Sequence, residues 1–364
     1  MKTIVKNVFR GIGILLLVIV LALTAFIWFG TLRPAAVENA AVTCPGSAPT
    51  LDAGQSLKVL TWNVQTMSGK NHVFWSDLPG NDGPDEKPTP EEITQALSEV
   101  ARVIKAEDPD IVLIQEIDNG AERTYYEDQL ARLMELLPGD YACSTSAFDW
   151  KAAYVPHARI HGSVGWKVAI LSKYQISAAE RRQLAVAPTS LVRNLFIIRP
   201  AILEAHLPIT QGGEFVALTL HLDLYVPGTD TKDVQIAQID DLLSGLTDSG
   251  TPWILGGDFN LLPFDDAAYG RLPAEQQHYY DSKSEIKLLF DHYQALPTTA
   301  ELTGHDYAQW FTRFPNVPSI AGPDRTLDYM FLPPSTSVSA HHVRQEDTLK
   351  ISDHLPLISV IQLP

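Results

Sequence analysis

PWILGGDFN, residues 252–260, is the most informative stretch of this 364-residue sequence. Its first half is short and apolar, which predicts a buried strand. Two glycines then lead into Asp258 and Asn260, two polar residues at the end of that strand. Because a buried carboxylate needs a hydrogen-bond partner or a metal ion, the strand end is predicted to belong to a functional site. A simple turn after the strand is the structural alternative for the same residues.

The same arrangement recurs along the chain, with polar residues at the ends of apolar runs. The runs are LKVLTWNV (57–64), DIVLIQE (110–116), FVALTLHLD (215–223), TLDYMFLP (326–333) and LPLISVIQL (355–363). The polar residues in or beside them are Asn63, Glu116, His221, Asp328, Asp353 and His354. This oxygen-rich, cysteine-free collection suits Mg²⁺ or Mn²⁺ better than structural zinc. Histidines and carboxylates around such an ion activate water and stabilise charge at a phosphorus centre.

Helical patterns lie between the predicted strands. Thr89-Pro90-Glu91-Glu92 combines a capping threonine, a proline at the first helical position and a glutamate at the third, which predicts a helix start. Further helices are predicted over 122–137 and around 231–246. No repeat and no internal linker divides residues 57–364. We therefore expect one α/β domain in which two sheets form a sandwich with outer helices.

Seven short motifs follow one another through this domain. They are TWNV (61–64), LIQE (113–116), ILSKYQI (170–176), LTLHLD (218–223), GGDFN (256–260), TLDYMF (326–331) and SDHLP (352–356). In this order, the set resembles the endonuclease/exonuclease/phosphatase superfamily, which includes DNase I-like nucleases, inositol phosphatases and neutral sphingomyelinases. The resemblance covers essentially all of residues 57–364. It implies a DNase I-like, four-layer α/β sandwich of the α+β type and a metal-dependent phosphoester hydrolase.

The resemblance also implies a set of metal ligands. Asn63 and Glu116 would hold the catalytic divalent ion, with Glu116 as the principal ligand. Asp353 would lie near that ion or at a second metal position. Some nuclease members carry an acid two residues after the first asparagine, where this chain has Gln65, which argues against a fully formed second metal site. On the residues alone, Glu116 as a helix cap and Asn63 as a turn residue are the structural alternatives.

Catalytic roles follow from the same resemblance. Asp258 and Asn260 would align or activate the attacking water and contact phosphate oxygens. His354 would pair with Asp328, which fixes the tautomer of the imidazole and raises its basicity. His221 would donate to a non-bridging phosphate oxygen. A surface turn at His354 and a satisfied core histidine at His221 are the structural alternatives.

The substrate is less determined than the chemistry. The chain has 27 Lys and Arg against 43 Asp and Glu, a net charge of −16, which is unfavourable for nonspecific binding to nucleic-acid phosphates. Arg193 and Arg199 are candidate phosphate contacts, with solvated side chains as the alternative. The stretches 68–88 and 268–293 are interpreted as substrate-facing insertions. DNA, RNA and a phospholipid headgroup all stay open as the phosphoester.

A divalent-metal phosphodiesterase, expected to be monomeric, is the predicted function. A phosphomonoesterase and a non-catalytic binding protein on the same fold are the alternatives. The binding protein would predict the loss of at least one catalytic residue. The five residues concerned are all present: Glu116, Asp258, Asn260, Asp328 and His354.

An apolar run of twenty residues, 11–30, contains no charge and no proline. As a helix it is about 30 Å long, which is the thickness of the hydrocarbon core of a bilayer. Basic residues in segment 1–10 favour a cytoplasmic N-terminus, with residues 57–364 on the periplasmic or extracellular side of the inner or plasma membrane. A cleaved signal peptide and a buried core helix are the alternatives.

Residues 31–56 connect this run to the domain and are rich in Ala, Pro, Ser and Gly. This composition predicts a flexible tether. Cys44 lies in the tether and Cys143 in the domain, and they are the only two cysteines. A disulfide in an oxidising compartment and a pair of free thiols both stay open.

Overall fold

The computed structural model describes residues 2–74, 83–84, 87–157, 159–223 and 228–364. Of the predicted insertion 68–88, residues 75–82 and 85–86 lie outside this part. The strands of the described residues are β1 (Val37–Asn39), β2 (Val42–Thr43), β3 (Ser56–Asn63), β4 (Ile111–Asp118), β5 (Cys143–His157), β6 (Ile160–Ser172), β7 (Ala178–Gln183), β8 (Ala201–Pro208), β9 (Glu214–His221), β10 (Trp253–Asp258), β11 (Gln294–Leu296), β12 (Asp328–Leu332), β13 (Ser337–Val343) and β14 (Leu357–Gln362).

The helices occupy the intervals between these strands. The α-helices are α1 (Lys2–Gly30), α2 (Pro90–Glu107), α3 (Gln129–Leu136), α4 (Thr231–Asp248), α5 (Asp266–Arg271), α6 (Lys287–His292) and α7 (Thr299–Thr303). Short 3₁₀ helices span Gln65–Met67, Glu122–Thr124, Arg193–Leu195, Gln277–Tyr279 and Tyr307–Trp310.

Two sheets of seven strands each form the centre of the described domain. Their strand orders are β13-β14-β3-β4-β6-β5-β2 and β1-β7-β8-β9-β10-β12-β11. Both sheets are mixed, because β3–β4 and β9–β10 are parallel pairs among antiparallel neighbours. Helices α2 and α3 pack on the outer face of the first sheet, and α4 and α6 on that of the second. The layers are therefore α/β/β/α, which confirms the predicted sandwich.

Strand β4 shows why the core strands are unbroken apolar runs in the sequence. Ile111 and Leu113 pack in the cluster between the sheets, whereas Val112 and Ile114 pack with residues of α2. Successive side chains of a strand point to opposite faces, so a strand that is covered on both faces must be apolar throughout. Gln115 is the polar exception between the sheets, and its Nε2 donates to Oγ1 of Thr219 at 2.8 Å.

The two glycines of β10 are required by close approach. A Cβ atom on Gly256 would lie 2.8 Å from Cδ1 of Leu113, in the opposite sheet. One on Gly257 would lie 2.2 Å from the carbonyl oxygen of Leu220, in the neighbouring strand. The GG pair thus lets β10 run close to its neighbours and deliver Asp258 to the strand end.

The helix predicted from Thr89 is confirmed as α2. Oγ1 of Thr89 accepts from the Glu92 N–H at 3.2 Å, and the Glu92 carboxylate accepts from the Thr89 N–H at 2.7 Å. The two residues form a capping box that satisfies two N–H groups at the helix start.

The helix predicted over 122–137 is wrong in its first half. Only a 3₁₀ turn forms at Glu122–Thr124, and α3 begins at Gln129. Tyr125 and Tyr126 lie between them with left-handed φ angles of 56° and 62°, which a right-handed helix does not accommodate. The helical spacing of apolar residues gave no sign of this interruption.

Helix α1 is apolar and exposed. It begins at Lys2, before the predicted run 11–30, and its most apolar window has a mean hydropathy of 2.9 with none of it buried. Its length and composition are those of a helix that can cross a membrane. Its exposure argues against the alternative of a buried core helix.

The segment predicted as a tether, 31–56, is attached to both sheets. Strand β1 pairs with β7 and β2 pairs with β5, so each forms an edge strand of its sheet. Cys44 and Cys143 form a disulfide, which was one of the two open alternatives. Strands of two or three residues satisfy the free backbone groups of the sheet edges, yet they are too short to produce a periodic pattern in the sequence.

Candidate active site

Five strands of the two sheets meet at one edge of the sandwich. The carboxyl ends of the parallel strands β3 and β4 lie at this edge, and so do those of β9 and β10. Strand β12 is antiparallel to β10 and begins there, with Asp328 opposite Asp258. The polar residues at or near these strand ends are Asn63, Glu116, His221, Asp258 and Asp328. The topology therefore gathers residues that are far apart in the chain.

Glu116 reaches the site through an irregularity in β4. The pairing of β4 with β6 changes register between Ile114 and Ile117, and Glu116 has a left-handed φ of 53°. An irregularity of this kind bends a strand and re-aims a side chain. Burial, and then the negative charge of Asp353, raise the pKa of Glu116 to about 7.

Asn63 connects Glu116 to Asp258 across the two sheets. Its Nδ2 donates to Oε1 of Glu116 and to Oδ2 of Asp258, both at 3.0 Å. Its Oδ1 accepts from the backbone N–H of Gln65, also at 3.0 Å. In this arrangement Asn63 positions carboxylates by hydrogen bonding. The metal-ligand role of Asn63, for which the amide oxygen would have to face the metal ion, stays a prediction.

His354 lies between two carboxylates. Its Nδ1 is 2.7 Å from Oδ2 of Asp328, and its Nε2 is 3.3 Å from Oδ2 of Asp258. Burial lowers the pKa of His354, but the two carboxylates outweigh burial and raise its pKa to about 9. The imidazole is therefore protonated at neutral pH. The structure contains the pairing of His354 with Asp328 that the family resemblance implied.

Asp258, Asn260 and His221 form a second group beside that pair. The Asn260 N–H donates to Oδ1 of Asp258 at 2.9 Å, and its Nδ2 lies 3.4 Å from Nε2 of His221. Nε2 of His221 is 3.6 Å from Oε1 of Glu116 and 3.7 Å from Oδ2 of Asp258. The contacts described so far join seven of the eight predicted site residues, and Asp353 is the exception.

The charges of this group follow from its surroundings. Burial raises the pKa of Asp258, but the positive charge of His354 opposes burial, and together with the hydrogen bonds from the Asn260 N–H and Asn63 it leaves the pKa below its ordinary value. Burial lowers the pKa of His221. Asp258 is therefore a carboxylate and His221 a neutral imidazole at neutral pH.

Asp353 lies in the loop before β14 and is held by two residues that sequence reasoning gave no catalytic role. Its backbone N–H donates to Oε1 of Gln65 at 3.1 Å, and its Oδ2 is 2.6 Å from Nη1 of Arg313. Gln65 therefore helps to position Asp353. Arg313 reaches the site because its backbone forms a bridge to His354, a long-range pairing with no local sequence signal.

Lys232 is a further residue that the sequence did not single out. It is buried at the start of α4, and its Nζ donates to the carbonyl oxygens of Asp223 and Phe259. These carbonyls belong to the segments that follow β9 and β10, within two residues of His221 and Asn260. Burial lowers the pKa of Lys232 to about 8. A lysine at a helix start is ordinarily solvated, so this contact has no signal in the local sequence.

Glu116 and Asp353 fit a divalent cation. Asp353 is buried and Glu116 is partly buried. Burial and then the charge of Asp353 raise the pKa of Glu116, and a cation between the two carboxylates would relieve their repulsion. A second compact group consists of Asp258, Asp328 and His354, whose potential ligand atoms lie within 4.8 Å of one another. Both ring nitrogens of His354 face carboxylates in that group, so it is already satisfied as an ion-paired network.

The site lies at the bottom of a cleft of about 520 Å³. One wall of this cleft is apolar. Its residues are Trp150, Ile160, Val164, Trp166 and Ile198. Basic residues also line the cleft, namely Lys87, Arg123, Arg159, Arg193 and Arg313. A pocket that combines a polar floor, an apolar wall and basic residues suits an anionic substrate with an apolar part.

Of the predicted substrate contacts, Arg193 is in the cleft, whereas Arg199 and the insertion 268–293 make other contacts. Arg193 lines the cleft, whereas Nη2 of Arg199 donates to the carbonyl oxygen of Asn194 at 2.6 Å. In the predicted insertion 268–293, Leu272 and Tyr280 pack as buried residues against the domain. The aromatic content of that insertion therefore reflects packing.

Residues 60–354 match the family model of the Endonuclease/Exonuclease/phosphatase family. The match covers most of the chain and contains the whole cluster from Asn63 to His354, and the chain therefore belongs to this family. Its members are generally phosphoester hydrolases that depend on divalent metals. No curated protein sequence matches the chain.

Solved structures with the same fold share little sequence with the chain. An endonuclease/exonuclease/phosphatase from Beutenbergia cavernae DSM 12333 has a TM-score of 0.56 and 22% identity, with 85% of this chain and 72% of that chain covered. A family protein from Leptotrichia buccalis C-1013-b has a TM-score of 0.53 and 18% identity, with 84% of this chain and 99% of that chain covered. The human nocturnin catalytic domain with bound sulfate has a TM-score of 0.51 and 15% identity, with 88% of this chain and 96% of that chain covered. These likenesses confirm the DNase I-like fold.

Proposed function

We propose that the protein is a membrane-anchored phosphodiesterase that uses Mg²⁺ or Mn²⁺. The observation that supports this function is the buried group of Asp258, Asp328 and His354 next to the partly buried Glu116, in a cleft lined by Glu116, Asp258 and His354. Burying ionisable groups together costs folding free energy, and such clusters are characteristic of functional sites. Together with Asn260, these four residues are the ones whose loss would have favoured a non-catalytic binding protein.

The cation would be held by Glu116 and Asp353, the two carboxylates that are free of the His354 network. When bound, it would stabilise the negative charge that develops on the phosphate oxygens. Asn63 would keep the Glu116 carboxylate in place through its hydrogen bond of 3.0 Å. Gln65 and Arg313 would do the same for Asp353.

Asp258 is the group best placed to accept the proton of the attacking water. Its low pKa keeps it ionised, and Asn63 and the Asn260 N–H fix the orientation of its two oxygens. His354 is already protonated, so a proton accepted by Asp258 would leave to the water of the cleft. Nε2 of the His354 imidazolium, 3.3 Å from Oδ2 of Asp258, would restore the ionised carboxylate.

His354 would act as a cation toward the phosphate. Its pKa of about 9 keeps the imidazolium form at neutral pH, and Asp328 holds Nδ1 so that Nε2 is directed toward Asp258 and the cleft. Neutral His221 and the Asn260 amide, on the opposite side of Asp258, would donate to non-bridging phosphate oxygens. Donors placed before the reaction stabilise the charge that builds in the transition state.

The proposed location rests on α1 and on the disulfide. Lys2, Lys6 and Arg10 at the start of the helix favour a cytoplasmic N-terminus. The Cys44–Cys143 bond is typical of an oxidising compartment, which supports a catalytic domain outside the cytoplasm. A reporter fused after residue 364 would be active on the outer side, and a cytoplasmic reporter would contradict this topology.

The chemistry is tested on the full-length protein in detergent micelles with Mg²⁺ or Mn²⁺. The substrates are plasmid DNA, RNA, phosphatidylcholine, bis(p-nitrophenyl) phosphate and, as a monoester, p-nitrophenyl phosphate. We expect hydrolysis of at least one diester, loss of activity in EDTA, and a fall of about a hundredfold or more in Asp258→Asn. Asp266→Asn, an exposed acid at the start of α5, is the matched control. Activity that persists in EDTA, or turnover of the monoester alone, would overturn the proposal.

A further inference from the structure

Helix α1 is joined to the catalytic domain without a flexible linker. α1 ends at Gly30, and Thr31 already forms a β-bridge with Ala152 of β5. The Leu32 N–H donates to the carbonyl oxygen of Lys151 at 2.9 Å. A helix that spans a membrane would therefore hold this part of β5 at the membrane surface, because no flexible residues separate the two.

The residues around the end of α1 have the chemistry of a membrane interface. Trp28 lies near the end of the helix, and the Arg33 guanidinium stacks on its ring at 3.8 Å. Tryptophan is enriched at the level of lipid headgroups, and the long side chain of an arginine near a helix end reaches the same level. Two residues beyond Ala152, the aromatic side chain of Tyr154 is 54% exposed.

An apolar loop lies beside this junction. Leu191 is 89% exposed and Val192 is 69% exposed, which is unusual for two consecutive large apolar residues of a domain in water. The loop continues to Phe196, whose carbonyl oxygen accepts from Nε1 of Trp150 at 2.7 Å. Trp150 is the neighbour of Lys151, so the loop and the end of α1 contact the same part of β5.

The elements at this junction also form the apolar wall of the cleft. Strand β5 contributes Trp150, and the loop contributes Arg193 and Ile198. Strand β6, the hairpin partner of β5, contributes Ile160 and Val164. The mouth of the cleft therefore borders the surface that α1 would hold against the membrane.

We infer that Trp28, Arg33, Tyr154, Leu191 and Val192 form an interfacial rim that rests on the bilayer, and that the cleft takes its phosphodiester from a phospholipid of that bilayer. This inference rests on the proposed function. The apolar wall would contact the lipid glycerol and upper acyl chains. Arg193 would lie at the depth of the headgroup phosphate. Nucleic acid is the less favoured substrate, because exposed Leu191 and Val192 offer nothing to a polyanion and the chain carries a net charge of −16.

The rim is tested directly by its contact with lipid. Cys44 and Cys143 are bonded, so a cysteine introduced by Leu191→Cys can be labelled selectively with an environment-sensitive dye. The full-length protein is reconstituted in nanodiscs of phosphatidylcholine and phosphatidylglycerol. Leu136→Cys is the matched control, since Leu136 is also an exposed leucine but lies on α3. We expect blue-shifted emission at position 191 and water-like emission at position 136. Water-like emission at both positions, or equal shifts, would overturn the inference.

The substrate is tested by comparing a bilayer lipid with a soluble diester. Full-length protein in phosphatidylcholine and phosphatidylglycerol vesicles is assayed for phospholipid hydrolysis, and in micelles with bis(p-nitrophenyl) phosphate. The double variant Leu191→Ser with Val192→Ser should hydrolyse the bilayer lipid about tenfold more slowly, because two apolar side chains that the bilayer would bury are lost. Its rate on the soluble diester should be unchanged. Leu136→Ser should change neither rate.

The outcomes separate this inference from the function on which it rests. Hydrolysis of the soluble diester and of DNA or RNA, without phospholipid hydrolysis, would overturn the lipid inference and leave the phosphodiesterase standing. An equal loss on both substrates in the double variant would show a structural role and would also overturn the inference. Absence of all diester hydrolysis in the wild type would overturn the proposed function itself.

Discussion

The floor and the wall of the cleft are built in different ways. The floor consists of polar residues at strand ends, such as Asp258 and Asp328, and they are almost completely buried. The wall consists of partly exposed apolar residues from the β5–β6 hairpin and the loop before β8, such as Trp150 and Trp166. The comparison suggests that the floor determines the reaction, whereas the wall determines which phosphodiester reaches it.

The largest expected effect is on the floor. His354→Gln removes the imidazolium between Asp328 and Asp258, and we expect kcat to fall by about a hundredfold or more on every substrate. Steady-state kinetics of the full-length protein on bis(p-nitrophenyl) phosphate measure it. His341→Gln, which changes a histidine of β13 paired with Glu301, should leave kcat unchanged. A His354→Gln variant with normal kcat would remove His354 from the mechanism.

Lys232 tests how the floor is supported. Lys232→Met leaves the carbonyl oxygens of Asp223 and Phe259 without their buried donor, which should displace the segments carrying His221 and Asn260. We expect kcat to fall about tenfold, with KM and Mn²⁺ affinity unchanged and partial recovery in Lys232→Arg. A change in KM alone would assign Lys232 to substrate binding instead.

A substitution in the wall should change KM, whereas a substitution in the floor should change kcat. Trp166 packs edge-on against Trp150 with ring centroids 5.2 Å apart, and Trp166→Ala should raise KM for the aryl diester about fivefold, since aromatic contacts contribute about 0.5–1.5 kcal/mol. kcat should stay within about a factor of two. Trp310→Ala, remote from the cleft and stacked on His341, is the control. A fall in kcat as large as that of His354→Gln would abolish the distinction between floor and wall.

The smallest effect concerns stability, away from both regions. Nε2 of His206 is 3.3 Å from Glu204 and Nδ1 is 3.1 Å from Glu214, and the Glu204 hydrogen bond outweighs burial to raise the pKa of His206 to about 9. Because the pKa is raised in the folded state, this stabilisation is complete below about pH 6.5 and is lost as the pH rises toward 9. We expect about 1 kcal/mol, measured by urea unfolding at several pH values. His206→Gln should remove this difference in the free energy of unfolding between pH 6.5 and about 9. An unchanged pH dependence in the variant would contradict the stabilising role of His206.

The floor was predictable from sequence because each of its residues follows or interrupts an apolar run. Asn63, Glu116 and Asp258 stand beside strands whose burial is evident from composition, and family motifs fix their order. Their roles were less predictable. The amide orientation of Asn63 depends on Gln65, and the bulge at Glu116 depends on pairing with β6.

The wall was not predictable, because it depends on long-range pairing. Trp150 and Trp166 are opposite each other in the β5–β6 hairpin, and nothing local in the sequence of β5 indicates a strand of fifteen residues. The attachment of residues 37–44 to the sheet edges has the same origin. Short strands and a disulfide derive their position from partners elsewhere in the chain, so composition alone suggested a free tether.

The most direct measurement is Mn²⁺ binding to the full-length protein by isothermal titration calorimetry, with the diester assay on the same samples. Glu116→Gln removes the proposed principal ligand, and Glu122→Gln removes another carboxylate that lines the same cleft. We predict that wild type and Glu122→Gln bind Mn²⁺ and hydrolyse the diester, whereas Glu116→Gln loses binding and at least about a hundredfold in rate. Equal Mn²⁺ binding and equal rates in all three proteins would contradict a metal-dependent reaction at the floor of the cleft.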